Sequence, residues 1–207
     1  METPTTRHYL GLVRIMQYLK RFPDRGITFT KIYGNKRFFV FCDTDFAGDP
    51  QTRKSTTGFV IKYANGPITC VSRRQRNVTV SVCESEYCAL TECAIETLWL
   101  SKLANIFNEH FPVPVIIYND NQTAQNMVQN KAKITKMKHI DALKKHIGIK
   151  YMFIKELYNL GVVDLVHVAS ADNEADLFTK PNGSIIHNKL SRRLMNLDNY
   201  VHLCMNK

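Results

Sequence analysis

The chain has 207 residues, 44% hydrophobic and 22% charged, which excludes a disordered or fibrous protein. Lys and Arg number 28 against 18 Asp and Glu, a net charge of +10 that makes a polyanion, nucleic acid ahead of an anionic membrane, the first partner to consider. No apolar run approaches the roughly 20 residues that cross a bilayer, and residues 1–30 hold no uninterrupted apolar signal core, so a chain with no membrane span and no secretory leader is expected.

Residues 1–30 predict one helix and its exit, with Leu12, Ile15 and Leu19 on one stripe and Pro23 and Gly26 as the stop. From Arg37 the periodicity changes. RFFVFCD reads as a short apolar strand that ends on a carboxylate. GFVIKY, Asn65-Gly66 and PITCVS read as a hairpin, because Asn-Gly suits a tight turn with positive φ at both centres. Ser81 and Glu84 give a capping-box signature for a helix that carries Tyr87, Leu90, Ala94 and Leu98 and runs to about Phe107. PVPVIIYND is a fourth strand ending in Asp120, followed by a short helix from Gln122. A long helix is expected from about His139 to Leu160, stopped by Gly161. VVDLVHV is the fifth strand, and SIIHNKLSRRLMNL closes the pattern as a helix with Ile186, Leu190, Leu194 and Leu197 facing one way.

Three successive strands favour an antiparallel meander, and two helical crossovers then add parallel strands. The expected fold class is α/β: a five-stranded mixed sheet, three strands antiparallel and then two parallel, flanked by helices. Phe38, Phe39, Phe41, Phe59 and Trp99 are expected in its core. The six cysteines form no C-x-x-C pair and five lie in apolar stretches, which suits a reducing compartment, cytoplasmic or nuclear. The seven scattered histidines form no zinc pattern.

Four acids stand at element ends: Asp43 after the first strand, Glu86 in the capped helix, Asp120 after the fourth strand and Asp176 in SADNEADLFTKP. Strand ends of such sheets converge on one edge, so Asp43 and Asp120 are expected side by side. An isolated strand-end aspartate is more often a turn former or cap than a catalyst. Crowded carboxylates, however, repel unless cations neutralise them. Their hard oxygens suit Mg²⁺ or Mn²⁺, and two such ions about 4 Å apart can activate water and stabilise a leaving oxygen of a phosphodiester. Asp45, Asp49, Glu84 and Asp172 lie near enough in sequence to compete as ligands.

The strings FCDTDFAGD, RKSTTGFV, SRRQ, ESEYCAL, IYNDNQTA, KMKHID and ADLFTKP, in this order across residues 37–181, resemble the ribonuclease H domain of copia-type LTR-retrotransposon polyproteins. Residues 3–30 resemble the end of the preceding reverse transcriptase segment. The resemblance implies a ribonuclease H-like fold, cleavage of the RNA strand of RNA–DNA hybrids, and Asp43, Glu86, Asp120 and Asp176 as catalytic acids that bind two Mg²⁺ or Mn²⁺ ions. It implies domains at 1–35 (the reverse transcriptase end), 36–181 (the ribonuclease H-like domain) and 182–207 (a C-terminal helix), with the reverse transcriptase region of the same polyprotein as a further partner. Phe46 stands where the family usually has Trp, and Cys83 and Cys88 depart from its usual residues. Relative to the family pattern, seven residues, ALKKHIG, stand inserted after Asp141; seven turn a helix by about two turns with ~20° of drift, so the apolar stripe survives. Without a polymerase palm, protease or integrase motif, the chain is expected to be a fragment or truncated copy of such a polyprotein.

Basic residues supply the expected phosphate track: Arg53, Lys54, Arg73, Arg74, Lys138, His139, Lys144 and Lys145. Asn121 and Gln122, beside Asp120, are candidates by location for reading the RNA 2′-hydroxyl. The rival expectation is a catalytically silent, domesticated module of the same fold that binds nucleic acid or protein.

Overall fold

The computed structural model describes residues 3–30, 38–129 and 144–197, with side chains from Gly148 onward in the last of these segments. In chain order the elements are α1 (Thr6–Arg21), β1 (Phe38–Asp45), β2 (Thr56–Tyr63), β3 (Gly66–Arg74), α2 (Val82–Ile106), β4 (Val115–Asn119), α3 (Gln122–Val128), α4 (Lys144–Asn159), β5 (Val163–His167), α5 (Asp176–Thr179) and α6 (Ser184–Leu194). The sheet order is β3-β2-β1-β4-β5, with β1–β2 and β2–β3 antiparallel and β1–β4 and β4–β5 parallel. The mixed five-stranded sheet expected from the sequence is therefore present.

β1 is central and buried on both faces, which is why it reads as a nearly unbroken apolar run. Phe38, Val40 and Cys42 face one layer, where Tyr87, Leu90 and Cys93 of α2 and Ile154 of α4 pack. Phe39 and Phe41 face the other, with Ala175 and Leu194. Trp99 departs from expectation: it is 55% exposed on α2, whereas the four phenylalanines are buried. Helix α2 is long enough that its second half turns an apolar residue outward. The Leu12, Ile15 and Leu19 stripe of α1 is exposed too, since α1 buries no residue. On α6, Leu190 and Leu194 are buried while Ile186 is exposed. The start of the expected helix from His139, and with it Lys138, lies outside the described residues.

Two local signals resolve differently from their sequence reading. The hairpin turn is centred on Ala64 and Asn65, with φ of +51° and +65°, and Gly66 already pairs with Tyr63. Gly66 is needed for another reason: a Cβ there would lie 2.6 Å from the Phe29 ring. Ser81 caps α2 by accepting from the Glu84 amide at 3.1 Å, but Glu84 returns its carboxylate to the Val80 amide, one residue outside the usual box.

A buried ion pair ties the two sides of the α5–α6 layer to the sheet. Lys62 Nζ on β2 donates to Glu174 Oε2 at 2.9 Å and to the Arg193 carbonyl at 2.9 Å. Burial pulls the Lys62 pKa down and pushes the Glu174 pKa up, against their mutual attraction. Such a pair adds little net stability when intact but costs about 3–5 kcal/mol when one partner is removed. Lys62→Met is expected to destabilise by about that amount in denaturant titration, and Lys62→Met with Glu174→Gln to recover part of the loss.

Candidate active site

The carboxylates meet at the C-terminal end of β1. The parallel ladder with β4 runs through Val40 with Ile117 and Phe41 with Tyr118. Just beyond it, the Cys42 carbonyl accepts from two side-chain amides, Asn119 Nδ2 at 3.2 Å and Asn173 Nδ2 at 3.1 Å. Cys42 precedes Asp43, Asn119 precedes Asp120, and Asn173 stands three residues before Asp176. One buried acceptor thus draws together the three segments that carry the aspartates. Asp43, Asp120 and Asp176 each offer an oxygen within 4.8 Å of the others.

Glu86 stands outside that trio. Its Oε2 accepts from Asn119 Nδ2 at 3.0 Å, so the same asparagine serves both Glu86 and the Cys42 carbonyl. The first turn of α2 is held in place by Gln75, in SRRQ, whose Nε2 donates to the Ser85 carbonyl at 3.0 Å and to Thr57 Oγ1 at 3.1 Å. Gly58, in RKSTTGFV, lies opposite Asp43 in the β1–β2 ladder. A Cβ at Gly58 would come 2.5 Å from Thr179 Cγ2 and 2.9 Å from the Ala175 carbonyl, so its absence lets α5 settle on the sheet beside Asp43.

Three site groups escaped the sequence reading. Lys180 Nζ is 3.0 Å from Asp176 Oδ2 and 4.0 Å from Asp43 Oδ2. Thr179 Oγ1 donates to Asp43 Oδ2, and Ser170 Oγ donates to Asp120 Oδ2. Only Lys180 carried a legible signal, its i,i+4 spacing from Asp176 across ADLFTKP. Asp172 is held by Lys189 and Arg193, and Asp49 by Arg74 and Thr52, so each is already paired away from the trio. Asp45 feels Lys180 and Asp43, yet burial raises its pKa.

The expected phosphate and sugar contacts are placed as follows. Register puts Arg73 level with Thr57 and Thr44, and Arg74 level with Thr56 and Asp45, at the sheet end that carries Asp43. Arg74 pairs with Asp49 at 2.9 Å and Arg73 lies 3.8 Å from Glu92. Arg53 and Lys54 lie in the β1–β2 connection, where the Arg53 amide donates to the Asp49 carbonyl and the Asp49 amide to the Lys54 carbonyl. Asn121 caps α3, accepting from the Ala124 amide, and Gln122 donates to Asn126. Lys144 and Lys145 open α4, but their side chains, like Lys138 and His139, lie outside the described residues.

The electrostatics follow from the crowding. Burial, with the charges of Asp43 and Asp120, pushes the Glu86 carboxyl up to about 8, against the Asn119 hydrogen bond. Burial and then Asp43 push Asp176 up to about 7, against Lys180. Burial opposes the charge on Lys180, yet Asp176, Asp43 and Asp120 hold its pKa above the ordinary lysine value. Glu86 and Asp176 therefore bind protons more tightly folded than unfolded, where such acids titrate near 4. Their contribution to stability is full below pH ~4 and is lost as pH rises through about 7 to 8. In EDTA, the apparent stability of Glu86→Gln and of Asp176→Asn should fall less between pH 5 and 8 than that of the parent chain; equal slopes by denaturant titration would contradict this assignment.

Among the described residues, no helix is long and apolar enough to cross a membrane. No protein-family model matches the chain. It is 31% identical over 194 residues to a retrovirus-related Pol polyprotein from transposon RE2 of Arabidopsis thaliana, covering 94% of this chain and 13% of that one. It is 33% identical over 181 residues to the Pol polyprotein from transposon RE1 of the same plant, covering 87% of this chain and 12% of that one. The chain thus spans about an eighth of the length of these curated relatives. In fold it is similar to an RNase H1 isolated from compost by a metagenomic approach, with a TM-score of 0.50, 18% identity, and coverage of 70% of this chain and 94% of that one. The chain is a homologue, over most of its length, of copia-type retrovirus-related Pol polyproteins, built on the ribonuclease H fold.

Proposed function

We propose that the chain hydrolyses the RNA strand of RNA–DNA hybrids, with Asp43, Glu86, Asp120 and Asp176 holding two Mg²⁺ or Mn²⁺ ions. The observation that carries this reading is the trio of aspartates from three separate segments, with oxygens within 4.8 Å of one another. The donor set fits hard divalent cations. Asp176 Oδ1 supports the fit: it is buried and has no hydrogen-bond partner, a cost that a cation would relieve. When bound, such ions supply an activated water and charge stabilisation at the cleaved phosphodiester.

The chain's own residues do the positioning. Asn119 and Gln75 fix Glu86, Thr179 orients Asp43, and Ser170 orients Asp120. Lys180 neutralises part of the acidic cluster without a cation. Arg53, Lys54, Arg73 and Arg74 give the hybrid backbone a basic approach at the same end of the sheet, and Lys138, His139, Lys144 and Lys145 are further phosphate candidates from the sequence. Asn121 and Gln122 are the candidates for the 2′-hydroxyl. The reverse transcriptase region of a longer polyprotein is the proposed protein partner, and a reducing compartment, cytoplasmic or nuclear, is supported by five free cysteines among the described residues.

The Lys180 ion pairs also favour a second reading, a silent binding module in which lysine has replaced the cations. A labelled hybrid separates the two. Cleavage with Mg²⁺ or Mn²⁺ supports the first. Hybrid binding without cleavage under both metals would establish the second. Asp43→Asn and Asp120→Asn are expected to abolish cleavage with the fold intact, because Asn keeps the shape and loses the charge. Asp45→Asn and Asp172→Asn should keep most activity. Single-stranded RNA and duplex DNA should stay uncut.

A further inference from the structure

α1 buries no residue in the core, yet it is not loose from it. Tyr18 packs edge-on against Phe22, ring centroids 5.3 Å apart, and against His187 of α6 at 5.6 Å. Arg25, just past the helix, lies 3.6 Å over the Phe22 ring and donates to the Tyr18 hydroxyl at 3.2 Å and to Asn188 Oδ1 of α6 at 2.7 Å. These contacts hold α1 beside α6 and leave a groove of about 1030 Å³ between them.

The groove has an unusual lining. Arg14, Arg21 and Arg25 all border it, and among the described residues no carboxylate does. Arg25 is bonded to neutral groups, while Arg14 and Arg21 are exposed. Three arginines that line one groove, with no carboxylate among its described lining residues, favour an anionic occupant. Between them the groove is lined by Tyr18, Phe22 and the apolar side chain of Ile15, with one face of the Phe22 ring covered by Arg25. An isolated phosphate would engage the arginines alone, whereas a chain that alternates phosphates with flat bases would also cover the apolar and aromatic side chains of the lining. The groove also reaches Pro181 and Asn182, which follow directly on Lys180 at the carboxylate cluster.

We infer that the α1–α6 groove is a binding site for single-stranded nucleic acid, and that it receives an unpaired extension of a hybrid seated at the carboxylates. The second half rests on the ribonuclease reading above. The first half does not, because no carboxylate of the acidic cluster lines the groove.

The test uses the full chain in EDTA, so that no strand is cut, and a fluorescein-labelled 12-nucleotide oligouridylate read by anisotropy. Arg14→Gln with Arg21→Gln should weaken binding by about tenfold or more and lower the log–log salt slope by about 1.4, two phosphate contacts at roughly 0.7 each. Gln17→Glu, an exposed change in the groove wall, should weaken it in the same direction. Both variants should unfold at the parental temperature and bind a blunt RNA–DNA hybrid within about twofold of the parent, while a hybrid with a single-stranded extension loses its advantage. Unchanged oligonucleotide binding in both variants would overturn the site. So would equal losses on blunt and extended hybrids, which would assign these arginines to the duplex track. Loss of binding to phosphatidylserine vesicles with the oligonucleotide retained would overturn it in favour of an anionic membrane. If the parent binds the oligonucleotide but neither binds blunt hybrid in EDTA nor cuts it with Mg²⁺ or Mn²⁺, the groove stands and the ribonuclease reading falls.

Discussion

The Cys42 carbonyl is the acceptor on which the acidic cluster depends. It lies just past the last rung of the β1–β4 ladder, where β4 ends. A buried carbonyl without a donor is costly, so Asn119 and Asn173 both turn their side-chain amides toward it. Each asparagine brings an aspartate with it. The hydrogen bonds that satisfy the end of a strand therefore also bring Asp120 and Asp176 to Asp43, and Asn119 adds Glu86 to the same network.

This crowding is assembled at an electrostatic disadvantage. Three aspartate oxygens within 4.8 Å, a buried glutamate raised to about 8 and an unpartnered Asp176 Oδ1 are not the choices of a core built for stability alone. The fold offsets the strain elsewhere. β1 is packed on both faces, the Lys62–Glu174 pair anchors the segment before Asp176, and Gly58 lets α5 approach the sheet. Lys180 offers partial neutralisation from the exposed side. Rigid surroundings and a charge-frustrated centre are what a cation site needs, because the cation then restores the missing balance.

The basic charge is distributed by purpose as well. Arg73 and Arg74 stand at the sheet end that carries the acids, while Arg14, Arg21 and Arg25 gather in a separate groove against aromatic rings. Among the described residues, two groups of arginines thus stand apart from one acidic centre. Long-range attraction of a polyanion and local capture of cations are compatible only when the two signs are segregated in this way.

The strands and the order of helices were legible in the sequence because burial imposes a period: two-sided burial makes β1 an apolar run, and the hairpin and capped helix carry local turn and cap chemistry. The resemblance of seven short strings marked Asp43, Glu86, Asp120 and Asp176 as a set, and the structure brings three of them within reach of one another. Local chemistry was read less well where distant packing decided it. Gly66 looked like a turn residue and is a ring contact; Gly58 looked like part of a motif and is a gap that α5 fills. Trp99 looked like core and faces outward, since composition cannot say how far a helix overruns its sheet. The Cys42 carbonyl and the groove between α1 and α6 left no pattern to read. Each joins residues far apart in the chain through contacts that have no period, and only the packed structure brings such residues together.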